Sequence, residues 1–182
     1  EAGGIQDQIA ASFGGLNRID FSKDGYTVRP IVISRARKEK LNNNLMLFFT
    51  GFSRFSSDIQ KGTEKSMKDK TKELLEMYSL VDKAEKVLTD ESCDLDEFGR
   101  LLDYTWKLKR GISSGISTGS IDEQYEKAMK AGALGGKLLG AGGGGFLLFY
   151  VPQEKQAAVK KALENQMYVP FKFENEGTIL KG

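Results

Sequence analysis

The alternation of apolar and polar residues divides the first 33 positions into a short helix and a hairpin. Residues 6–13 have the composition of a helix that ends at the pair Gly14-Gly15. Two stretches, 18–21 and 26–33, alternate or run apolar on either side of the pair Asp24-Gly25. Because Asp-Gly is a strong signal for a two-residue hairpin loop, these stretches predict a β-hairpin.

The middle of the chain predicts a strand followed by two amphipathic helices. Residues 34–44 are basic and polar and are interpreted as a connector at a domain boundary, whereas the apolar run Leu45–Phe49 predicts a buried strand. Residues 64–88 predict a long charged helix with one apolar face, formed by Leu74, Tyr78, Val81 and Leu88. The next helix starts at Asp94, with Glu97 in a capping box, and is predicted to bury Leu95, Phe98, Leu102, Thr105 and Leu108.

The last part of the chain predicts two helices and three strands. A Ser/Gly-rich loop at 110–119 precedes a helix that Ser120 and Glu123 cap and that ends at Gly132. Two strands then flank a glycine turn. Pro152 opens a further helix, and a last strand follows near 168–173; the residues predicted to be buried in that helix are Ala158, Val159 and Leu163.

From Leu45 onward the predicted order is strand, helices, strand, strand, helix, strand. This order predicts an α+β fold with a split β-α-β, ferredoxin-like layout.

Composition excludes several kinds of catalytic site. The chain has no histidine and one cysteine, Cys93, so Ser-His-Asp and Cys-His catalysis, His-ligated zinc and an internal disulfide are all excluded. A general base in this chain is therefore a carboxylate or, less commonly, a lysine or tyrosine. The net charge of +2 is spread along the chain, and no apolar run reaches the length of a membrane span. We expect no nucleic-acid or membrane partner and a cytoplasmic location.

A glycine-rich stretch is the most unusual feature of the sequence. Eight glycines fall within the fourteen positions from Gly132 to Gly145, and the apolar run 146–151 follows directly. Glycines let a phosphate or another anion approach backbone N–H groups closely. The spacing matches neither the P-loop nor the dinucleotide-binding fingerprint. A sharp hairpin between two core strands explains the same pattern, and the stretch alone leaves both interpretations open.

Asp7 is the candidate catalytic carboxylate. It lies between Gln6 and Gln8, with glycine pairs on both sides that would let a sugar-sized ligand come close to the backbone. The two amide side chains can orient hydroxyl groups without competing for a proton. An isolated aspartate at this position also caps a helix, and the spacing alone leaves that role open.

Two motifs at a fixed separation resemble the second half of a GHMP-superfamily small-molecule kinase. The motifs are Gly-x-Gln-Asp-Gln…Phe-Gly-Gly at 4–15 and Lys-Leu-Leu-Gly-Ala-Gly-Gly-Gly-Gly-Phe at 137–146. Three further segments, Phe49-Thr-Gly-Phe-Ser-Arg54, Trp106-Lys-Leu-Lys-Arg110 and Ile121-Asp-Glu-x-Tyr125, resemble the D-glycero-D-manno-heptose 7-phosphate kinase branch. The resemblance covers nearly the whole chain.

The resemblance implies an ATP-dependent sugar kinase. In such enzymes an aspartate matching Asp7 takes the proton of the acceptor hydroxyl, here the anomeric hydroxyl of a heptose 7-phosphate. The glycine loop of the family lines the cleft near the phosphates; the matching residues are Lys137, Gly140, Ala141, Gly142, Gly143, Gly144 and Gly145. For the sugar, the resemblance implies a set of substrate-binding residues, three of which are basic and are candidates to hold a substrate phosphate. The set is Gly3, Gly4, Gln6, Gly14, Gly15, Arg54, Lys109 and Arg110.

The resemblance also implies a partner segment upstream. The family's main phosphate-binding loop and its magnesium-binding acidic residue, which would hold ATP and Mg²⁺, are absent from this sequence. We therefore expect residues 1–35 to be the tail of a nucleotide-binding domain, residues 36–182 to be the C-terminal domain, and the missing N-terminal half to be required for activity. No metal ligand is predicted within the chain, and a homodimer is left open.

Two other functions fit the same residues. One is a different GHMP kinase, fucokinase-, galactokinase- or mevalonate-kinase-like, whose acceptor need not carry a phosphate. The other is a catalytically inactive relative that senses a ligand. Basic residues beside the acceptor would favour the heptose phosphate, and Asp7 together with the uninterrupted glycine loop argues against the inactive relative.

Overall fold

A four-stranded antiparallel sheet forms the centre of the molecule and confirms the predicted ferredoxin-like layout. The computed structural model describes residues 5–51, 70–112, 117–139 and 144–179. The strand order is β4-β5-β3-β6, so the first and third strands of this unit lie in the middle, as in a split β-α-β fold. These strands are β3 (Leu45–Phe49), β4 (Gly135–Leu139), β5 (Phe146–Tyr150) and β6 (Met167–Val169).

Within the described ranges, six helices and a separate hairpin surround this sheet. The hairpin pairs β1 (Asn17–Ser22) with β2 (Gly25–Pro30) across the Asp24-Gly25 turn, which confirms the sequence prediction. The helices are α1 (Gln6–Phe13), α2 (Arg35–Asn43), α3 (Thr71–Thr89), α4 (Asp96–Ile112), α5 (Gly119–Lys130) and α6 (Gln156–Ala162).

Alternate residues of the strands bury against different helices on the two faces of the sheet. On one face Phe48, Leu147 and Phe149 pack with α5 and α6 through side chains such as Tyr125 and Val159. On the other face Leu45 and Tyr150 pack with Leu41 of α2, Leu88 at the end of α3 and Leu95, which directly precedes α4. The period of two in the strands thus builds two hydrophobic cores from one sheet.

The segment predicted to be a connector at 34–44 is a helix, so that prediction was wrong. Ser34 is its N-cap and accepts a hydrogen bond from the backbone N–H of Arg37 at 3.2 Å. The buried Arg37 guanidinium donates to the carbonyl oxygens of Leu88, Val87 and Cys93 at 2.8, 2.6 and 2.7 Å. These bonds satisfy carbonyls at the end of α3 that have no partner within the helix, which ties α2 to the core. The sequence pattern did not reveal this role, because a basic residue is normally expected on the surface, whereas Arg37 is a buried hydrogen-bond donor.

Other local predictions need smaller corrections. In α3 the side chains of Tyr78 and Val81 are exposed, whereas Leu80 and Leu88 are buried. Ala158 in α6 is exposed, although Val159 and Leu163 are buried as predicted. The predicted loop at 110–119 is shorter, because α4 continues to Ile112 and α5 begins at Gly119 with Thr118, and not Ser120, as its N-cap. The predicted beginning of α3 at residue 64 lies outside the described residues.

Two glycines allow α4 to lie directly against the edge strand β4. A Cβ atom on Gly135 would lie 1.9 Å from the carbonyl oxygen of Gly99 and 2.7 Å from the backbone nitrogen of Asp103. A Cβ atom on Gly99 would in turn lie 2.8 Å from the ring of Tyr150. Part of the glycine-rich stretch is therefore needed for helix-on-strand packing, at a separation that no other residue permits.

Gly135→Ala is expected to destabilise the fold because the added methyl group has no space. Forcing a methyl group into a packed contact costs about 1–3 kcal/mol, and the free energy of unfolding from urea titration should fall by that amount. Gly119→Ala is the matched control, since nothing lies within 4 Å of its added Cβ. Equal stability of the two variants would contradict this view of the α4–β4 contact.

Candidate functional site

Asp7 lies in the first turn of α1 with its side chain exposed to solvent. The N-cap of α1 is Ile5, and no side chain caps the helix. Asp7 therefore does not serve as the helix cap that its spacing also allowed. Asp7 lies near the positive end of the helix dipole of α1.

Lys137 is the middle residue of the edge strand β4. Its strand neighbour Leu138 is buried in the core on the opposite face of the sheet, so Lys137 lies on the face that contacts α4. The side chain is half-buried. Burial lowers the pKa of Lys137, and the nearby Asp7 carboxylate opposes this shift by raising the pKa.

Lys109, in the last turn of α4, completes a cluster with these two residues. Burial and, after it, the positive charge of Lys137 lower the pKa of Lys109, whereas the Asp7 carboxylate raises it. Each lysine thus lies within electrostatic range of the other and of Asp7. We call Asp7, Lys109 and Lys137 the charged cluster. With all three side chains ionised, the cluster carries one net positive charge.

Arg110, which neighbours Lys109 in sequence, has a different environment. Its guanidinium donates to the Asp122 carboxylate at 2.6 Å and lies over the rings of Trp106 and Tyr125, 6.0 and 5.9 Å from their centroids. Asp122 also accepts a hydrogen bond from Ser117. These contacts join α4 to α5, so the structure gives Arg110 a packing role that its sequence context did not indicate.

The glycines that follow α1 contact the end of the described chain. A Cβ atom on Gly14 would lie 2.3 Å from the carbonyl carbon of Glu176, and the N–H of Gly15 donates to the carbonyl of Glu174 at 2.8 Å. Both glycines have positive φ, +64° and +71°. Their conformation and close contacts therefore allow the end of α1 to cross the backbone of residues 174–176. Gln6, which precedes Asp7, is exposed.

The end of the glycine-rich stretch is fixed by a threonine that sequence reasoning did not single out. The backbone N–H and the hydroxyl of Thr50 donate to the carbonyl of Gly145 at 2.9 and 3.0 Å, and the hydroxyl accepts from the Gly145 N–H at 3.1 Å. Gly145 has φ +112°, and Gly144 beside it is buried. Thr50 thus joins the end of β3 to the start of β5. The sequence signal that could have identified Thr50 is its position in the Phe49-Thr-Gly segment.

Several predicted site residues lie outside the described residues: Gly3, Gly4, Arg54, Gly140, Ala141, Gly142 and Gly143. Among the residues that are described, no three His, Cys, Asp or Glu side chains gather as a metal site. Within the same ranges, no helix has the length and apolar character needed to cross a membrane.

Comparison with known proteins gives consistent matches over this chain. The sequence is 34% identical over 181 residues to the D-glycero-alpha-D-manno-heptose 7-phosphate kinase of Campylobacter jejuni, covering 96% of this chain and 52% of that protein. The chain therefore spans about half the length of this relative.

Two solved structures resemble the fold. A D-glycero-D-manno-heptose 1-phosphate kinase from Bacteriodes thetaiotaomicron matches with a TM-score of 0.57 and 27% identity, over 99% of this chain and 50% of that one. The L. major mevalonate kinase in complex with R-mevalonate matches with a TM-score of 0.71 and 20% identity, over 96% and 53% of the two chains. At that identity the second match shows the fold alone.

The family match covers the part of the chain that contains α4, α5, the edge strand β4 and the central strand β5. Residues 88–169 match the family described as GHMP kinases C terminal. Together with the heptose kinase relatives and the ferredoxin-like sheet, this match shows that the chain carries a GHMP kinase C-terminal domain.

Proposed function

We propose that this chain supplies the acceptor side of an ATP-dependent sugar kinase site, with Asp7 as the general base. The proposed acceptor is the anomeric hydroxyl of D-glycero-D-manno-heptose 7-phosphate. The name of the Campylobacter jejuni relative, at 34% identity, supports this substrate. The charged cluster supports a substrate that carries its own negative charge.

The observations that carry the proposal are the exposed Asp7 carboxylate in the first turn of α1 and two half-buried lysines, at the end of α4 and in β4, whose pKa values that carboxylate raises. The three residues come from α1, α4 and β4, which are far apart in sequence. Placing two partly desolvated ammonium groups together is unfavourable for folding, and burial alone lowers the pKa of each. Such an arrangement is typical of functional sites, where an anionic ligand supplies the missing negative charge.

The proposed reaction is an in-line transfer of the γ-phosphoryl group. The acceptor hydroxyl gives its proton to the Asp7 carboxylate while its oxygen forms a bond to the γ-phosphorus of ATP. The bond between that phosphorus and the bridging oxygen breaks, and ADP leaves with the electron pair. Lys137, which precedes the glycine loop, would stabilise negative charge on the transferred group. Lys109 would bind the phosphate that the sugar already carries.

The nucleotide side of the site is assigned to a segment that precedes residue 1. Mg²⁺ neutralises phosphate charge in such transfers, and among the described residues no acidic cluster fits the ion, so its ligands are assigned to the same preceding segment. We keep residues 1–35 as the tail of the nucleotide-binding domain and 36–182 as the C-terminal domain. Residues 1–182 without that segment are then expected to be inactive.

Asp7→Asn is expected to lower kcat by roughly 10²–10⁴-fold in the full-length protein, because the amide cannot accept the hydroxyl proton. The KM values for both substrates should change little, since the side chains have the same shape. Steady-state kinetics with the sugar phosphate and ATP measure both parameters.

The matched control is Asp24→Asn, which replaces an exposed aspartate in the β1–β2 turn by a residue equally suited to that turn. It should leave kcat unchanged. Turnover of Asp7→Asn close to that of the control would exclude Asp7 as the base.

Lys109→Met is expected to raise the KM for a phosphorylated sugar by about tenfold, which corresponds to about 1.4 kcal/mol of lost binding. Methionine keeps much of the apolar stem and removes the charge that binds the phosphate. The KM for the same sugar without phosphate should not change, so measuring both acceptors isolates the contact.

Lys83→Met, on the exposed surface of α3, is the control and should affect neither acceptor. If Lys109→Met weakened both acceptors equally, the substrate-phosphate role would be wrong. A GHMP kinase that acts on a sugar without phosphate would then be favoured.

A further inference from the structure

The described chain ends in an extended segment that contacts the helix carrying Asp7. We infer that residues 174–178, here called the 174–178 segment, fix the position of α1 and, with it, the position of the Asp7 carboxylate. The effect on catalysis rests on the proposed function of Asp7, whereas the contacts between the segment and α1 do not depend on that function.

Helix α1 has little to hold it in place by itself. It is eight residues long, and Ile9 is its single buried residue. Helices of that length are marginal in water, so their position depends on tertiary contacts. Burial of one isoleucine side chain is a small, non-directional contribution that does not fix the direction of a short helix. The orientation of Asp7 therefore needs further contacts.

The 174–178 segment supplies directional contacts along the C-terminal half of α1. The backbone N–H of Thr178 donates to the carbonyl of Ala11 at 3.1 Å, and its hydroxyl donates to the same oxygen at 3.3 Å. The N–H of Gly15 donates to the carbonyl of Glu174 at 2.8 Å. These bonds satisfy a carbonyl in the last turn of α1, where no intrahelical partner is available, and fix the backbone that follows.

The two backbones cross at a separation that only glycine permits. A Cβ atom on Gly177 would lie 1.8 Å from the carbonyl oxygen of Ser12, and one on Gly14 would lie 2.3 Å from the carbonyl carbon of Glu176. A side chain at either position would force α1 and the segment apart. This pairing explains both a glycine after α1 and a glycine near the end of the chain.

The segment is itself joined to the core through α2. The Asn42 side chain accepts from the N–H of Phe173 at 2.8 Å and donates to the carbonyl of Phe171 at 3.4 Å. Lys38 donates to the side chain of Asn175. Because Arg37 binds α2 to the end of α3, a continuous set of hydrogen bonds leads from the core to α1. The 174–178 segment makes the last of these contacts before α1, the helix that carries Asp7.

The test uses Gly177→Ala in the full-length protein, with Gly119→Ala as the control because its added methyl group meets nothing. Displacing α1 by about 1 Å should lower kcat by roughly 10–100-fold and leave the KM for ATP nearly unchanged. The double variant with Asp7→Asn should lose little further activity, because the base is already absent. Thr178→Pro, which deletes the N–H donor to Ala11, is a second and milder disturbance.

A readout that does not depend on catalysis is the titration of Lys137, followed by NMR of labelled lysine side chains. Asp7→Asn should lower the pKa of Lys137 by removing the carboxylate that raises it. In the Gly177→Ala background this effect of Asp7→Asn should shrink by at least half, because Asp7 has moved away. Gly119→Ala should leave the effect unchanged.

The outcomes distinguish this inference from the proposed function. If Gly177→Ala lowers the melting temperature but leaves both kcat and the Asp7–Lys137 coupling as in the control, the segment only stabilises the fold and the inference is wrong. If the coupling is lost while Asp7→Asn has normal turnover, the segment positions Asp7 but Asp7 is not the base.

Discussion

The contact between Gly99 of α4 and Gly135 of β4 is the constraint on which the candidate site depends. Gly135 leaves no space for even one methyl group against the Gly99 carbonyl, so helix and strand meet backbone to backbone. Lys109 lies ten residues after Gly99 on the helix, and Lys137 lies two residues after Gly135 on the strand. Because both lysines are placed by elements in direct contact, a shift of α4 would separate the two charges. Tyr125 reinforces the arrangement, since its hydroxyl donates to Asp103 at 2.9 Å beside the same contact.

Different glycines of the glycine-rich stretch have different structural roles, which the sequence alone did not distinguish. Gly132 ends α5 with φ +112°, Gly135 and Gly136 allow close packing in β4, and Gly145 is held by Thr50 at the start of β5. The two interpretations of the sequence, an anion-binding loop and a strand connection, therefore apply to different glycines. The strand connection accounts for the ends of the stretch, and the phosphate role stays a proposal for its centre.

The sequence predicted the fold well where the pattern is local and strong. The strands at 45–49 and around the glycine turn have continuous apolar runs, and the Asp24-Gly25 hairpin follows from turn chemistry. Helix α2 was missed because one of its two buried residues is an arginine, which binds carbonyls about 50 residues away. The charged cluster was predicted only as separate residues. The α4–β4 contact and the crossing at Gly14 and Gly177 leave no periodic signal in the sequence, so the sequence could not show which of these residues lie near one another.

A crystal structure of the full-length protein with heptose 7-phosphate and a non-hydrolysable ATP analogue would test the central claim most directly. The account predicts that the acceptor hydroxyl lies about 2.6–3.2 Å from the Asp7 carboxylate. The sugar phosphate should lie beside Lys109 and the γ-phosphate beside Lys137. A sugar bound away from Asp7, or nucleotide phosphates occupying the space between Asp7 and Lys109, would contradict the account.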